Sequence, residues 1–307
     1  MLQDDQIAGL VLFPVGRLIG VLVQSVPAQI ALVGVLANWA VTILIRKLPS
    51  LNNSFGSLTA SQAFGDATIS TIFAFVISTM CFFDLEDLKS NSSIIGHILI
   101  IAYEISTYSH LCISLNRFCS IVAPVRYESI FSASNTTKLI IFSWTLTILP
   151  SFYLYVYNDC KYSWSPEFWL FAFSTTPVCL TISWYADFLK FNAIVILIAV
   201  IDVVTVSKVR SYKAKSAKKT NFEMSFLKQA CLQALVFTCE LVTYFLITPR
   251  IDPNKKWIRF ALSTVAWASV HTMDGIITLS FNKDFSQTIF RRVKIKESST
   301  VNNCIDS

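Results

Sequence analysis

Five acidic side chains and three histidines fall inside long apolar runs of this 307-residue chain: Asp66, Glu104, Asp202, Glu240 and Asp274, with His97, His110 and His271. Two aspartates in apolar runs invite comparison with aspartyl proteases that cut within membranes, but Ala63-Phe64-Gly65-Asp66 lacks a Gly-x-Gly-Asp pattern and Asp274 follows a methionine. No His-Glu-x-x-His metal site and no Gly-x-Ser-x-Gly nucleophile elbow occurs. No Cys-x-x-Cys pair occurs either, which excludes the usual zinc and redox sites. The acids therefore read as buried polar groups, neutral, hydrated through an ion, or paired with amides, hydroxyls and imidazoles, rather than as a catalytic set.

The elements that position them follow from composition. Charged residues make up 14% of the chain and apolar types 54%, and the mean hydropathy is +0.57. That leaves too few polar residues to cover a soluble domain of this size and excludes an ordinary cytosolic enzyme or nucleic-acid binder. A bilayer core about 30 Å thick requires roughly 20 apolar residues in a helix. Such windows fall near 18–45, 57–83, 94–121, 138–157, 184–207, 224–248 and 258–281. The predicted fold is all-α, an integral membrane bundle of seven transmembrane helices spanning 18–281. The stretch before Arg17, broken by Pro14, reads as a lead-in within a short outer segment 1–17, with no signal peptide.

Orientation follows from basic residues. With the N-terminus outside, inner segments hold 17 Lys and Arg and outer segments 8, Lys190 being counted outside. No Lys or Arg falls in a span interior on this reading. The net charge is +6, and the inner basic run Lys208 to Lys219, including Arg210, suits anionic lipid and an acidic protein partner.

The third span ends Leu115-Asn116-Arg117-Phe118, followed by Ile121, Pro124 and Tyr127. This resembles the Asp-Arg-Tyr box of rhodopsin-like G-protein-coupled receptors, with Asn116 and Phe118 replacing the acid and the tyrosine. Asn38, Asp66 and Trp144 resemble the marker residues of the first, second and fourth helices. Asp274-Gly275-Ile276-Ile277-Thr278, with Phe285 after it, resembles a degraded Asn-Pro-x-x-Tyr box and its following amphipathic helix, here in 282–307. Asn53-Ser54-Phe55-Gly56 and His271-Thr272-Met273-Asp274-Gly275 narrow the resemblance to nematode chemosensory serpentine receptors of class X.

The resemblance implies a plasma-membrane receptor that takes a small extracellular ligand and activates a heterotrimeric G protein, with Arg117, Pro124, Tyr127, Lys208 and Arg210 at the coupling face. It implies that Asn38, Asp66, Ser106 and Asp274 converge on a water cluster or a sodium ion; the alternative is that they only hydrogen-bond helices together, and no other cofactor or metal is expected. Departures matter too. Asn116 cannot clamp Arg117 by charge, so the family's inactive-state lock is weakened or replaced. No lysine lies between Lys256 and Lys283, which excludes a retinal pigment.

Bundle ligands sit in grooves between helices. The candidates are Leu99, Tyr103, Tyr244, Phe245, Thr264 and Trp267, with Trp164, Phe168 and Trp169 from the second outer loop; each aromatic is alternatively a packing or lipid-facing residue. Glu104 meets either a polar ligand group or a fifth-helix hydroxyl. A seven-helix channel or transporter is the rival function, but no internal repeat is visible.

The family's usual third-helix cysteine position is occupied by Ser92. Cys160 and Cys179 flank an outer segment that alternates aromatic and polar residues around Ser165-Pro166, a pattern that suits a hairpin lid. Resemblance to class X receptors points to a bridge between these two cysteines; free thiols and a bridge to Cys81 are the alternatives. Of three glycosylation sequons, at Asn52, Asn91 and Asn135, only Asn91 lies outside in this topology.

Overall fold

The computed structural model describes residues 25–213, 217–281 and 285. Its frame is seven long helices. They are α1 (Ser25–Ile45), α2 (Ser54–Phe82), α3 (Ser92–Val122), α4 (Ala133–Tyr157), α5 (Pro177–Ser211), α6 (217–250) and α7 (256–281). The first five, and the Cys231–Arg250 part of α6, are long and apolar enough to cross a bilayer. Helix α7 is more polar because it carries Ser263, Thr264, His271, Thr272, Asp274 and Thr278, all buried toward its neighbours. The segment 1–17, and the tail after Phe281 apart from Phe285, lie outside the described residues.

Local chemistry sets the helix starts. Asn53 caps α2 by accepting from Gly56 N at 2.9 Å, and Ser132 caps α4 by accepting from Asn135 N at 3.3 Å. Thr176 accepts from Cys179 N at 3.3 Å, with Pro177 in the first turn. That cap starts α5 seven residues before the apolar window expected at 184, and it corrects the sequence reading of Lys190. Placed thirteen residues inside the helix, Lys190 is not an outer-loop residue, so a span interior does hold a lysine.

Helix α3 is the axis of the bundle. In its most apolar window 72% is buried, against 22% for α4, and it packs on α2, α4 and α5. Gly65 permits a close approach of α2 to α3: a Cβ there would stand 2.6 Å from Ala102 O and 3.0 Å from Ser106 N. The next residue, Asp66, is thereby pressed against α3. Helix α7 closes the ring onto α2 and α6.

Between α4 and α5 lies an antiparallel hairpin, β1 (Tyr162–Ser165) and β2 (Leu170–Phe173), paired Tyr162 to Phe173 and Ser165 to Leu170. Cys160 and Cys179 are joined by a disulfide at its base. The end of the bundle that carries this hairpin is called the hairpin end, and the opposite end, with Arg117, Lys208 and Arg210, the basic end. Five helices widen into a π turn in their hairpin-end halves: Ile72–Ile77, Phe152–Tyr157, Ser183–Leu189, Val242–Ile247 and Ala261–Val265.

Candidate functional site

The polar centre is assembled from four helices. Asp66 Oδ1 accepts from Ser106 Oγ at 2.7 Å and meets His271 Nδ1 at 2.7 Å. Asp274 Oδ2 accepts from Gln62 Nε2 at 3.2 Å, and Asn38 donates its amide to the His271 carbonyl at 2.9 Å. Asn38, Asp66, Ser106 and Asp274, expected to converge, are all buried here. The sequence reading missed the amide members of the network, Gln62 and, one helix over, Gln229 and Gln233 against Thr278. Their signal was weak: a glutamine in an apolar run marks burial without naming a partner.

At the basic end, Arg117 lies over the Phe55 ring at 5.0 Å, within electrostatic reach of Asp202 on α5. Asp202 Oδ1 also accepts from Ser114 Oγ at 3.0 Å. Asn116 is bonded instead to the Tyr127 hydroxyl at 3.2 Å. An acid on another helix thus lies within electrostatic reach of Arg117, whose neighbour at 116 carries none. Pro124 opens a short helix, Pro124–Ile130, whose Val125 is 94% exposed. Lys208 and Arg210 are exposed on α5. Beside this end Phe285 is buried against Val41, Leu44 and Ile45.

At the hairpin end a narrow cleft, with about 30 Å³ of room inside, opens between α3, α5, α6, α7 and the hairpin. Of the expected ligand residues, Tyr103, Tyr244, Phe245 and Trp267 line it, together with Ile100, Tyr162, Asp187, Glu240 and Leu241. Leu99, Glu104, Trp164 and Trp169 do not. Leu99 is wholly inside the hydrophobic core. Glu104 points to α5, where its Oε1 takes the Lys190 ammonium at 2.7 Å. Trp164 packs on Phe171 at 5.7 Å, and Trp169 packs on Trp257 at 4.8 Å with its carbonyl taken by Thr264. Phe168 is covered by Arg259 at 4.6 Å.

The hairpin roofs this cleft. Tyr162 faces the Tyr244 hydroxyl at 3.5 Å, and Tyr244 donates to Phe171 O at 3.0 Å. Burial, helped by that Tyr244 hydroxyl, holds the Tyr162 phenol well above its usual range, so it stays a neutral hydrogen-bonding group. Ser92, at the place of the missing cysteine, accepts from Trp164 N at 3.0 Å. One turn along α3, Gly96 lies directly under the Tyr162 carbonyl. A hydrogen bond and a glycine therefore dock the roof where the resemblance led us to expect no covalent bridge. Asn91, the expected glycosylation site, is exposed next to this contact.

Comparison with known proteins fits this geometry. Residues 29–282 match the family described as serpentine type 7TM GPCR chemoreceptor Srx. Serpentine receptor class X 45 of Caenorhabditis elegans is 32% identical, covering 88% of this chain and 81% of that protein. Serpentine receptor class X-43 of the same species is 27% identical, covering 95% of this chain and 89% of that one. Among solved structures, squid rhodopsin superposes with a TM-score of 0.72 at 17% identity, over 90% of this chain and 85% of that one, a likeness of fold. The family and fold are those of membrane receptors, not of enzymes: this chain belongs to the Srx family of serpentine G-protein-coupled chemoreceptors.

Proposed function

We propose that this receptor binds a small extracellular ligand in the cleft at the hairpin end and activates a heterotrimeric G protein at the basic end. The observation that carries the reading is the continuity between the two. Tyr103 and Trp267 line the cleft and also touch His271, at ring separations of 5.7 and 6.5 Å. His271 holds Asp66. A ligand that moves either ring changes the setting of the buried pair, and it shifts the equilibrium only by its differential affinity for the two settings.

The hairpin end faces the oxidising exterior on this reading, consistent with its disulfide, and puts the N-terminus outside. The basic end then meets the G protein through Arg117, Pro124, Tyr127, Lys208 and Arg210, with exposed Val125 as an apolar contact. Asp274 Oδ1, which has no hydrogen-bond partner among the described residues, and Asp66 form an oxygen set that admits a sodium ion, which would compete with His271 for the Asp66 carboxyl.

The test is expression with a second-messenger reporter, challenged with volatile and water-soluble odorants, beside the Arg117→Ala variant. Ligand-evoked signalling by the wild-type chain, lost in a variant that still reaches the surface, is expected. Full signalling by surface-expressed Arg117→Ala would reject the coupling role. Surface labelling of an N-terminal tag on unpermeabilised cells checks the orientation.

A further inference from the structure

Taking the cleft to be the ligand site, as the preceding reading does, we propose that it takes an organic cation. Its ligand is a protonated amine on an apolar body, held by Glu240 and Asp187 inside a box of Tyr103, Tyr162, Tyr244 and Trp267.

The first argument is charge balance. Three carboxyl groups occupy the interior of the hairpin half: Glu104, Asp187 and Glu240. Lys190 is committed to Glu104 at 2.7 Å and lies over the Phe191 ring at 4.4 Å. It lies within electrostatic reach of Asp187, but no described cation bears on Glu240. One ammonium thus serves Glu104 and Asp187 together, and Glu240 has no counter-charge among the described residues.

The second argument is the unmet hydrogen bonding. Glu240 is 7% exposed, and its Oε2 has no hydrogen-bond partner among the described residues. The Tyr103 hydroxyl, in the same wall, also lacks a partner there. Buried polar atoms are normally satisfied, and an unsatisfied carboxylate oxygen that lines a cavity is a place for a donor. An ammonium supplies up to three N–H donors and a charge together.

The third argument is the walls. Three tyrosines and a tryptophan surround the acids, and aromatic faces attract a cation within about 6 Å of the ring centroid. A small hydrated ion gains little from such walls, whereas an amine with a hydrocarbon body uses both the faces and the acids. A neutral alcohol of the same shape offers Glu240 a single O–H donor and no charge.

The test compares matched pairs on the full-length receptor in lipid nanodiscs: 2-phenylethylamine with 2-phenylethanol, and hexylamine with hexanol. Stabilisation against heat is measured as a function of ligand concentration, with sodium chloride alone as a further arm. Amines are expected to stabilise the wild-type chain and their alcohols not to. Glu240→Gln and Asp187→Asn, which keep shape and remove charge, should weaken amine binding about 30-fold or more. The wild-type comparison stands even if a variant folds poorly. Equal or better stabilisation by the alcohols, or amine binding unchanged in Glu240→Gln, overturns the proposal. So does stabilisation by sodium alone that depends on Glu240. Neutral compounds that bind and signal while amines do neither would remove the charge assignment and leave the ligand cleft standing; binding by neither set would remove both.

Discussion

Replacing Gly96 by alanine adds one methyl group between two backbones. The new Cβ would overlap the Tyr162 carbonyl oxygen and lie 2.8 Å from its carbonyl carbon. Neither side yields cheaply, since α3 is the bundle axis and Tyr162 is two residues from the Cys160–Cys179 bridge. The roof must lift by an ångström or so, and overpacking of this kind costs about 1–3 kcal/mol. Lifting also stretches the bond from Trp164 N to Ser92, one turn away, adding about 1 kcal/mol. At roughly 2 °C per kcal/mol for a chain of this size, the thermal midpoint should fall by about 4–8 °C. The assay is thermal unfolding of purified receptor, with Ile94→Ala, on the exposed face of the same helix, as a control that should change little. Ligand affinity should fall as well, because Tyr162 retreats from Tyr244. A Gly96→Ala receptor with an unshifted midpoint and an unchanged dose–response would refute the docked roof.

Breaking the buried pair by Lys190→Met should cost about 3–5 kcal/mol and deplete surface receptor, while the double change with Glu104→Gln should restore much of it; flow cytometry of tagged receptor reads both. Asp202→Asn should raise ligand-independent signalling in the reporter cells, since it frees Arg117 from its charge partner, and basal output at or below wild type would count against that lock. Asn91→Gln should abolish any mass shift produced by a glycosidase, and a shift that survives it at Asn52 or Asn135 would show the opposite orientation.

The number of helices was legible because lipid demands long apolar runs, and the windows overlap the observed helices. So was the meeting of Asn38, Asp66, Ser106 and Asp274, but through resemblance, not spacing. Lys190 was counted outside although the apolar window from 184 already contained it and Asp187, because a charged residue near the edge of a window reads as loop. The Thr176-Pro177 cap, visible in the sequence, would have moved the helix start outward and left Lys190 well within the span. Position 116 showed only that the family's lock on Arg117 is weakened or replaced; that Asp202 comes within its electrostatic reach depends on how α5 packs on α3, which no local pattern reveals. Ser92 and Gly96 carried no local signal at all. A serine and a glycine at a helix start look like loop residues until the hairpin, some seventy positions later, is laid on them.

The π turns have a consequence for how such receptors diversify. A π turn absorbs about one extra residue, so side chains beyond it are rotated by about 100° from the straight α-helical count. Asp187 sits in one such turn, and Tyr244 and Phe245 sit in another. Inserting or deleting a single residue there converts wide turn to narrow and re-indexes which side chain meets the ligand. The halves that carry Arg117 and Asp202 lie beyond the reach of that change and keep their frame. A one-residue length change in such a turn would thus alter the chemistry of the cleft while leaving the signalling end in its frame.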